Sequence, residues 1–503
     1  MKRLLGLDTE YGLLIEGADV RDLVDEARAL VQCWPGAWAG PWDYSGEQPL
    51  QDLRGFTADH LNEDPQDAQY DRPPARPMAR SEERSDRVLQ NGARLYQDHG
   101  HPEYASPECR SLFDLIAHDK AGERVVWQCA QAYEQKTGRR VSLYKNNVDF
   151  HGSSYGAHEN YLLRRDVPFE QLQAVLLPFL VTRILYAGAG KVGVEGTLHK
   201  TATYQLSQRA DFFTEVCSVD TLHRRPILNT RDEPHAPERG FRRLHVICGD
   251  ANLCEFAGAL KVGATALVLD LLEQGWTVDF ALVDPVEALK ALSRNLHAPL
   301  ALNGGKTCSG FEIQRRYWTA AREHYVGRDA ETDWVLSQWG SVLEALEENP
   351  ARLKDRLDWV AKRELLSEFL RAEDLSWTKA DPEMLQSLDL AYHDLDPESG
   401  LFMGLQEQGH VQRLVNEAAV VAAMEAGPKD TRAFARGWCV RHLREQIVAL
   451  NWSRIVFEHQ GQQVMFSMQD AVDERAQALN ELVQQPGAVL EALVQKAQSG
   501  ERL

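Results

Sequence analysis

Long apolar runs are missing from this 503-residue sequence. None approaches the roughly 20 consecutive residues that a membrane-spanning helix needs. The N-terminal stretch MKRLLGLDTEYGLLIEG begins basic and apolar, as a signal peptide does, but two acids interrupt its apolar part and no small-residue cleavage site follows. We therefore expect a cytoplasmic protein that has no membrane partner.

Positive charge is also scarce. Lys and Arg together number 55 against 75 Asp and Glu, which gives a formal net charge of -20. A general nucleic-acid binder needs a basic surface to meet phosphates, so this balance argues against nucleic acid as a partner but not against a local basic pocket for a nucleotide. The eight cysteines form no CxxC pair and no zinc-like spacing, which indicates reduced thiols.

The common nucleotide-binding and nucleophile motifs are absent as well. There is no Walker A sequence and no GxGxxG that opens a helix, and serine-hydrolase and Cys/His arrangements are missing. The segment GAGKVG at 188–193 lacks the GKS or GKT ending of a phosphate loop, so we predict a turn between a helix and a strand there. If a nucleotide binds, a sheet and metal ions must hold it.

Hydrophobic residues make up 44% of the chain, which is enough for a large core. Residues 3 to 15 alternate as a strand does, and further strands are predicted around 198–207 and in RRLHVICGD. Helical periodicity is found at about 18–34, 112–137, 168–188 and 253–274, and over most of 280–430. The segment from about 44 to 88 is polar and lacks apolar periodicity, which is typical of a functional loop or a disordered insertion.

Two acids lie on the first predicted strand. Asp8 and Glu10 are two residues apart, so their side chains point to the same face about 7 Å apart, and two such carboxylates can hold magnesium. A solvent-facing acidic strand is the alternative. Acids on an otherwise apolar strand are costly unless they are paired or metal-bound, which favours the functional interpretation.

A second group of polar residues lies in NGARLYQDHGHPEYASPE. Tyr96 and Asp98 share a strand face, and Glu103 follows a proline that bends the chain, so the three side chains can converge. Metal ligation or nucleophilic attack by Asp98 are the functional interpretations. The alternative is a purely structural role, in which Asp98 and His99 stabilise a turn.

Two histidines and two arginines complete the candidates. His158 in GAHENYLL and His245 in RRLHVICGD are candidate metal ligands, with a core or turn role as the alternative. Arg209 in SQRADFF and Arg231 in NTRDEPHA suit polyphosphate oxygens by geometry and permanent charge, and surface arginine is the alternative.

In their order along the chain, several long motifs resemble those of the Pup ligase/depupylase family: GLDTEYG, NGARLYQDHGHPEYASPE, KNNVDFHGSSYGAHENYLL, SQRADFF, RPILNTRDEPHA, RRLHVICGDANLCEFAGALKVGATALVLDLLE and TRAFARGWCVRHLREQIVALNWSRIVFE. The resemblance implies an α+β fold similar to glutamine synthetase, with a curved, mainly antiparallel sheet flanked by helices. We predict a catalytic domain at 1–429 and a small α+β C-terminal domain at 430–503.

Carried over position by position, the resemblance implies roles for all the candidates. Arg209 and Arg231 would contact nucleotide phosphates, and Asp98 would be the catalytic aspartate. One position departs from the family, because Asp8 stands where glutamate is usual and is shorter by one methylene. The implied metal ligands are Asp8, Glu10, Tyr96, Glu103, His158 and His245.

The depupylase branch is the closer match. The polar segment at 44–88 resembles in position an insertion of depupylases, and DHGHPEY is similar to their form. The implied activity is hydrolysis of the C-terminal Gln amide of Pup, or a Pup-like small acidic protein, and of its isopeptide bonds to substrate lysines. The implied cofactors are ATP, or ADP plus phosphate, and Mg²⁺. A Pup–protein ligase that consumes ATP and a non-catalytic Pup-binding paralogue are the alternatives.

Overall fold

The computed structural model describes residues 3–62, 77–196, 202–233, 236, 240–469, 474–484 and 489–498. In this part of the chain the strands are β1 (Leu5–Glu10), β2 (Gly12–Ile15), β3 (Trp38–Ala39), β4 (Arg87–Leu89), β5 (Arg94–Asp98), β6 (His101–Ala105), β7 (Val141–Tyr144), β8 (Ala157–Arg164), β9 (Lys191–Val192), β10 (Tyr204–Gln205), β11 (Phe213–Ser218), β12 (Arg225–Asn229), β13 (Phe241–Val246), β14 (Leu300–Leu302), β15 (Lys306–Cys308), β16 (Ile447–Leu450), β17 (Arg454–His459) and β18 (Gln462–Ser467).

The helices of the same part are α1 (Leu23–Val31), α2 (Arg80–Glu83), α3 (Leu112–Thr137), α4 (Phe169–Thr182), α5 (Ile184–Ala187), α6 (Glu255–Glu273), α7 (Pro285–Arg294), α8 (Gly310–Tyr325), α9 (Ala330–Glu348), α10 (Asp358–Ala372), α11 (Pro382–Tyr392), α12 (Leu401–Glu407), α13 (Glu417–Glu425), α14 (Arg432–Leu443), α15 (Glu474–Val483) and α16 (Val489–Gln498). Among these described helices, none has the length and apolar character that crossing a bilayer would require.

A seven-stranded sheet in the order β13-β8-β1-β6-β5-β4-β3 forms the centre of the protein, and each pair of neighbouring strands in it is antiparallel. The alternation predicted for the first strand is confirmed: Leu5, Leu7 and Thr9 are buried, whereas Asp8 and Glu10 are partly exposed. Since side chains alternate across a sheet, both acids lie on the face of the sheet opposite to the buried residues.

Helices α3 and α6 bury the other side of the sheet in one large hydrophobic core. Helix α3 has the bounds that the sequence predicts, because Ser111 caps its N-terminus by accepting a hydrogen bond from the Asp114 amide, and Gly138 ends it with φ of 73°. Helix α6 is apolar on nearly all sides, as expected of a helix enclosed in a core.

Elsewhere the structure refines the sequence-based elements. The helix predicted over 18–34 is shorter and spans Leu23–Val31. Of the strands predicted around 198–207, the structure shows Tyr204–Gln205, and residues 198–201 lie outside the described residues. The region 280–430 is mainly helical, as predicted, and also contains the hairpin of β14 and β15.

The polar segment at 44–88 is ordered at both of its described ends. Its first part is anchored where Asn62 donates from its backbone and side-chain nitrogens to Asp220, each at 2.8 Å. Its last residues form β4, with Val88 and Leu89 buried in the sheet. This strand was hidden in the sequence because it has only three residues and follows a run of charged ones. Residues 63–76 lie outside the described part.

The elements after residue 430 pack as a three-stranded sheet, β16-β17-β18, against α14. Their hydrophobic core also includes Ala39 and Val88 from the edge of the central sheet, and Trp42 from the segment after β3. Two ion pairs also link the two parts at this junction, since Glu108 lies 2.7 Å from Arg432 and 2.6 Å from Arg436. The domain boundary near 430 stays a prediction.

The junction makes a stability prediction at Gly92. Its φ is 78°, and a Cβ atom there would lie 2.5 Å from the Ala433 carbonyl oxygen. We expect Gly92→Ala to lower the free energy of unfolding by about 2–5 kcal/mol, from backbone strain plus overpacking. Gly138→Ala is the matched control, because φ is 73° there and nothing lies within 4 Å of a new Cβ. It should cost only the strain, roughly 1–2 kcal/mol in urea or thermal unfolding. Equal losses in both variants would contradict the close approach at Gly92.

Candidate metal and catalytic site

A cavity of about 440 Å³ opens over the polar face of the central sheet. The structure places every residue singled out from the sequence on its wall: Asp8, Glu10, Tyr96, Asp98, Glu103, His158, Arg209, Arg231 and His245. The strands β1, β5, β6, β8 and β13 supply seven of these side chains. Residues that are far apart in the sequence therefore line one cavity.

The centre of the cavity is a compact group of three side chains. The register of three strands brings these side chains together. Asp8 on β1 pairs with His158 on β8, and Glu10 on β1 pairs with Glu103 on β6. Ligand atoms of Asp8, Glu103 and His158 all lie within 4.8 Å of one another. The Oε2 atom of Glu103 is buried and has no hydrogen-bond partner. A divalent cation fits this donor set, since it would satisfy that oxygen.

The electrostatics agree with a cation at this position. Burial, followed by the nearby Asp98 and Glu10 carboxylates, raises the pKa of Glu103 well above its usual value. Burial and Asp98 likewise raise the pKa of Glu10 to about 7. Burial and Arg209 lower the pKa of His158 to about 3, so its imidazole is neutral as a ligand must be. A bound cation would relieve the repulsion among these carboxylates.

The other predicted ligands surround this group. Glu10 Oε2 lies 3.5 Å from His101 Nδ1. Tyr96 pairs directly with Glu103 across the β5–β6 hairpin. The His245 ring lies 4.9 Å from the His158 ring, centroid to centroid, one strand further out.

Gly156 is required by the close packing of two of these side chains. A Cβ atom at Gly156 would lie 2.3 Å from His158 Nε2 and 2.4 Å from Glu10 Oε1. Only glycine leaves room for both groups at this point.

Asn160 is a site residue that sequence reasoning missed. Its Nδ2 donates to Asp8 Oδ2 at 2.9 Å, and its Oδ1 lies 3.0 Å from His245 Nδ1. It therefore holds the shorter acid at position 8 inside the cation group. The signal that could have found it is alternation, since His158 and Asn160 share one face of β8.

Asp98 ends β5 just before a tight turn. His99 and Gly100 have φ of 47° and 86°, so they form the two-residue loop of a hairpin in which Asp98 pairs with His101. The Asp98 Oδ1 atom lies 2.7 Å from both Arg84 Nη2 and His99 Nδ1. Burial alone would raise the pKa of Asp98, but the charges of Arg84 and His99 outweigh it and hold this pKa well below its usual range.

Arg84 was also missed from the sequence. It follows helix α2 in the polar segment at 44–88, where no periodicity indicates which side chains point inward. A cation from this segment thus contacts the predicted catalytic aspartate directly.

The two predicted phosphate arginines differ in their surroundings. Arg209 is buried, donates to the Ile247 carbonyl, and lies 3.3 Å from Ser154 Oγ through Nε. Burial and the neighbouring Arg225 lower the pKa of Arg209 to about 10, so it stays charged at neutral pH. Arg231 donates to the Val219 carbonyl at 3.2 Å, and its backbone bridges to Asp52 of the polar segment.

A cavity with a buried acid–imidazole group, an ionised aspartate and flanking arginines is the kind of site in which a divalent cation and an anionic ligand meet. Comparison with known proteins identifies the family of the chain. It belongs to the Pup-ligase family, whose model, described as Pup-ligase protein, matches residues 3–456.

Both depupylases and Pup–protein ligases of this family are similar to the chain. A depupylase of Acidothermus cellulolyticus is 40% identical over 92% of this chain and 92% of its own length. A Pup deamidase/depupylase of Mycolicibacterium smegmatis is 40% identical over 91% of this chain and 92% of its own. A Pup–protein ligase of Nocardia farcinica is 43% identical over 78% of this chain and 89% of its own.

Solved structures of the family share the fold. A complex between Pup and its ligase PafA aligns with a TM-score of 0.77 at 30% identity, covering 98% of this chain and 94% of that one. PafA in complex with ADP aligns with a TM-score of 0.72 at 36% identity, covering 80% of this chain and 90% of that one. The predicted α+β fold, an antiparallel sheet flanked by helices, is thereby confirmed.

Proposed function

We propose that this protein is a depupylase and Pup deamidase. It hydrolyses the C-terminal Gln amide of a Pup-like protein and the isopeptide bond between Pup and substrate lysines, with a nucleotide and Mg²⁺ as cofactors. The observation that carries the proposal is the extent of the match in sequence: a depupylase aligns over 92% of this chain, whereas a Pup–protein ligase aligns over 78%. The structure of Pup with its ligase supports a Pup-like partner.

The proposed chemistry begins at Asp98. Its carboxylate is ionised, faces the cavity and is held by Arg84, so it can attack the amide carbon and form an anhydride that water opens. Asp8, Glu103 and His158 would hold Mg²⁺, which supplies positive charge for the oxygen that becomes negative in the transition state. Glu10, Tyr96 and His245 complete the proposed ligand set. Activation of the water by Asp98, without a covalent intermediate, is the rival mechanism.

A nucleotide is the second proposed cofactor. The ADP-bound ligase supports nucleotide use by this fold. Arg209 and Arg231 are the proposed phosphate contacts, since both are charged and line the cavity. In hydrolysis the nucleotide is retained from one turnover to the next, as ATP or as ADP plus phosphate.

The deciding experiment separates hydrolysis from ligation. The protein is incubated with a Pup-like protein that ends in Gln, and released ammonia and remaining ATP are measured together. We expect conversion of Gln to Glu with far less ATP consumed than ammonia released. No conversion of the Gln form, combined with ATP consumption that matches conjugate formed from the Glu form, identifies a ligase instead. ATP binding without either activity indicates a non-catalytic Pup-binding protein.

A substitution at Arg231 tests the nucleotide site. We expect Arg231→Met to raise the Kd of ADP about 10- to 100-fold, because a hydrogen bond between charged groups contributes about 1.5–3 kcal/mol. Arg316→Met is the control, since Arg316 is half exposed and pairs with Asp279 at 3.2 Å. Isothermal titration of both variants with ADP measures the effect, and an unchanged Kd for Arg231→Met removes this arginine from the nucleotide site.

A further inference from the structure

The turn that follows Asp98 places a second ionisable group in the cavity. We propose that His99 is the general acid of the reaction, donating the proton that the departing amine needs. This inference rests on the proposed amide hydrolysis and assigns a residue whose only sequence-based role was to stabilise a turn.

The backbone fixes where the His99 ring can go. Its φ of 47° lies in the left-handed region, which side chains such as Asn and His tolerate better than most. Gly100 follows with φ of 86°, and a Cβ on it would lie 3.4 Å from Leu23 Cβ, so helix α1 closes the turn from outside. A two-residue hairpin loop of this kind sets the backbone conformation from which the ring extends.

The ring contacts the Asp98 carboxylate and lines the cavity. Its Nδ1 lies 2.7 Å from Asp98 Oδ1, which leaves Nε2 as the nitrogen for a substrate. The side chain is 41% exposed and lines the same cavity as the cation group. An amide carbon attacked by Asp98 therefore has its nitrogen within reach of His99.

Charged or titratable groups on four elements interact with this imidazole: Asp98 on β5, Arg84 after α2, Glu10 on β1 and His101 on β6. The Asp98 carboxylate dominates and, against the opposing effects of burial and Arg84, raises the pKa of His99 to about 9. The imidazole is thus protonated at neutral pH, as a proton donor must be.

The neighbouring His101 cannot replace it. Its ring stacks on Tyr155 at 4.3 Å between centroids, and its Nδ1 is buried. His101 is also absent from the cavity wall, whereas His99 lines it. His99 is therefore the histidine of this hairpin that a substrate in the cavity can reach.

The proposed step balances. A bond forms between an Asp98 oxygen and the amide carbon, the carbon–nitrogen bond breaks, and the proton on His99 Nε2 moves to the nitrogen. The nitrogen leaves as ammonia, or as the neutral amine of a substrate lysine. Water then attacks the anhydride and gives its proton to the neutral imidazole. Asp98 leaves as a carboxylate, so both residues return to their starting states.

The test compares His99→Asn with His410→Asn. Asn is favoured at left-handed positions of tight hairpin turns, so His99→Asn keeps the fold, and His99→Gln is a second variant. His410 is exposed and does not line the cavity, which makes it the matched control. With Gln-ended Pup, we expect kcat to fall about 10²- to 10⁴-fold in both His99 variants while KM stays close to the wild-type value. The control should behave as wild type.

Two further readouts separate proton donation from positioning of Asp98. The wild-type kcat should fall as the pH rises through about 9, where His99 loses its proton, and this loss should be missing in His99→Asn. A Pup-like substrate whose terminal side chain carries a nitrophenyl ester needs no proton on its leaving group. First-turnover nitrophenolate release should therefore be nearly equal in wild type and His99→Asn.

The outcomes are distinct. If the wild-type protein releases no ammonia from Gln-ended Pup, the proposed function itself fails. If the wild type is active, and the His99 variants lose amide and ester cleavage equally or keep full amide cleavage, His99 is not the general acid. A large loss on the amide with a retained ester burst establishes the assignment.

Discussion

Asp98→Asn is expected to abolish cleavage of the Gln amide while nucleotide binding persists. The variant keeps the shape of the side chain but removes the negative charge that attacks the carbonyl carbon. We expect kcat to fall by about 10⁴-fold or more, as it does when a residue that acts as the nucleophile is removed. Ammonia release measures the activity, and the Kd of ADP measures nucleotide binding.

Asp279→Asn is the matched control, because the Asp279 side chain is 90% exposed and lies outside the cavity wall. It undergoes the same chemical change and should keep full activity. Substantial cleavage by Asp98→Asn would falsify the nucleophile assignment. A residual rate with unchanged affinity for ADP, in turn, would favour the rival mechanism in which Asp98 activates water.

Glu103→Gln is expected to uncouple the protein from magnesium. In the wild type, a bound cation stabilises the folded state by mass action, by about 2.7 kcal/mol at a free concentration 100 times the Kd. Glu103 is buried with one oxygen unpartnered and lies among other carboxylates, so replacing its carboxyl group by a neutral amide should raise the melting temperature of the metal-free protein. The rise on adding Mg²⁺ should then be lost, together with activity.

Thermal unfolding with EDTA and with Mg²⁺ measures both effects. Glu287→Gln is the control, since the Glu287 side chain is 69% exposed and lies in the first turn of helix α7. It should respond to Mg²⁺ as the wild type does. A Glu103→Gln variant that still gains stability from Mg²⁺ would place the cation elsewhere.

The clustered carboxylates of the cavity lower the stability of the metal-free protein. Four carboxylates, from Asp8, Glu10, Asp98 and Glu103, line one cavity, and the pKa of two of them is raised by burial and by mutual repulsion. Such a cluster destabilises the metal-free fold and binds a cation strongly for the same reason. Activity and stability are therefore expected to change in opposite directions at Glu103.

Elements with a strong local pattern could be predicted from the sequence. Alternation defined β1, and the helix Leu112–Thr137 was predicted with the bounds that the structure shows, because its Ser111 cap and Gly138 stop are encoded next to it. Short strands could not be predicted. Ala39 of β3 and Val88 of β4 belong to the hydrophobic core that forms with the elements after residue 430, which nothing near them in the sequence indicates.

The same division applies to the site. The candidates Asp8, Glu10 and His158 stand on strands whose periodicity shows which face they share, and the motifs indicate that they belong together. Arg84 lies in a polar segment without periodicity, and nothing near it in the sequence indicates that it contacts Asp98. His99 was interpreted only as a turn residue, since its exposure to the cavity depends on the hairpin.

By itself, the sequence determined the family resemblance, the order of the main elements and the set of acids, histidines and arginines that could carry chemistry. The tertiary structure alone decided which of these atoms come within reach of one another. Asp8 meets His158 across a strand pair that joins residues 150 positions apart, and Arg84 reaches Asp98 from a separate segment. Periodicity and caps are properties of neighbouring residues, whereas register between distant strands depends on the packing of the whole sheet, and that information is stored at no single place in the chain.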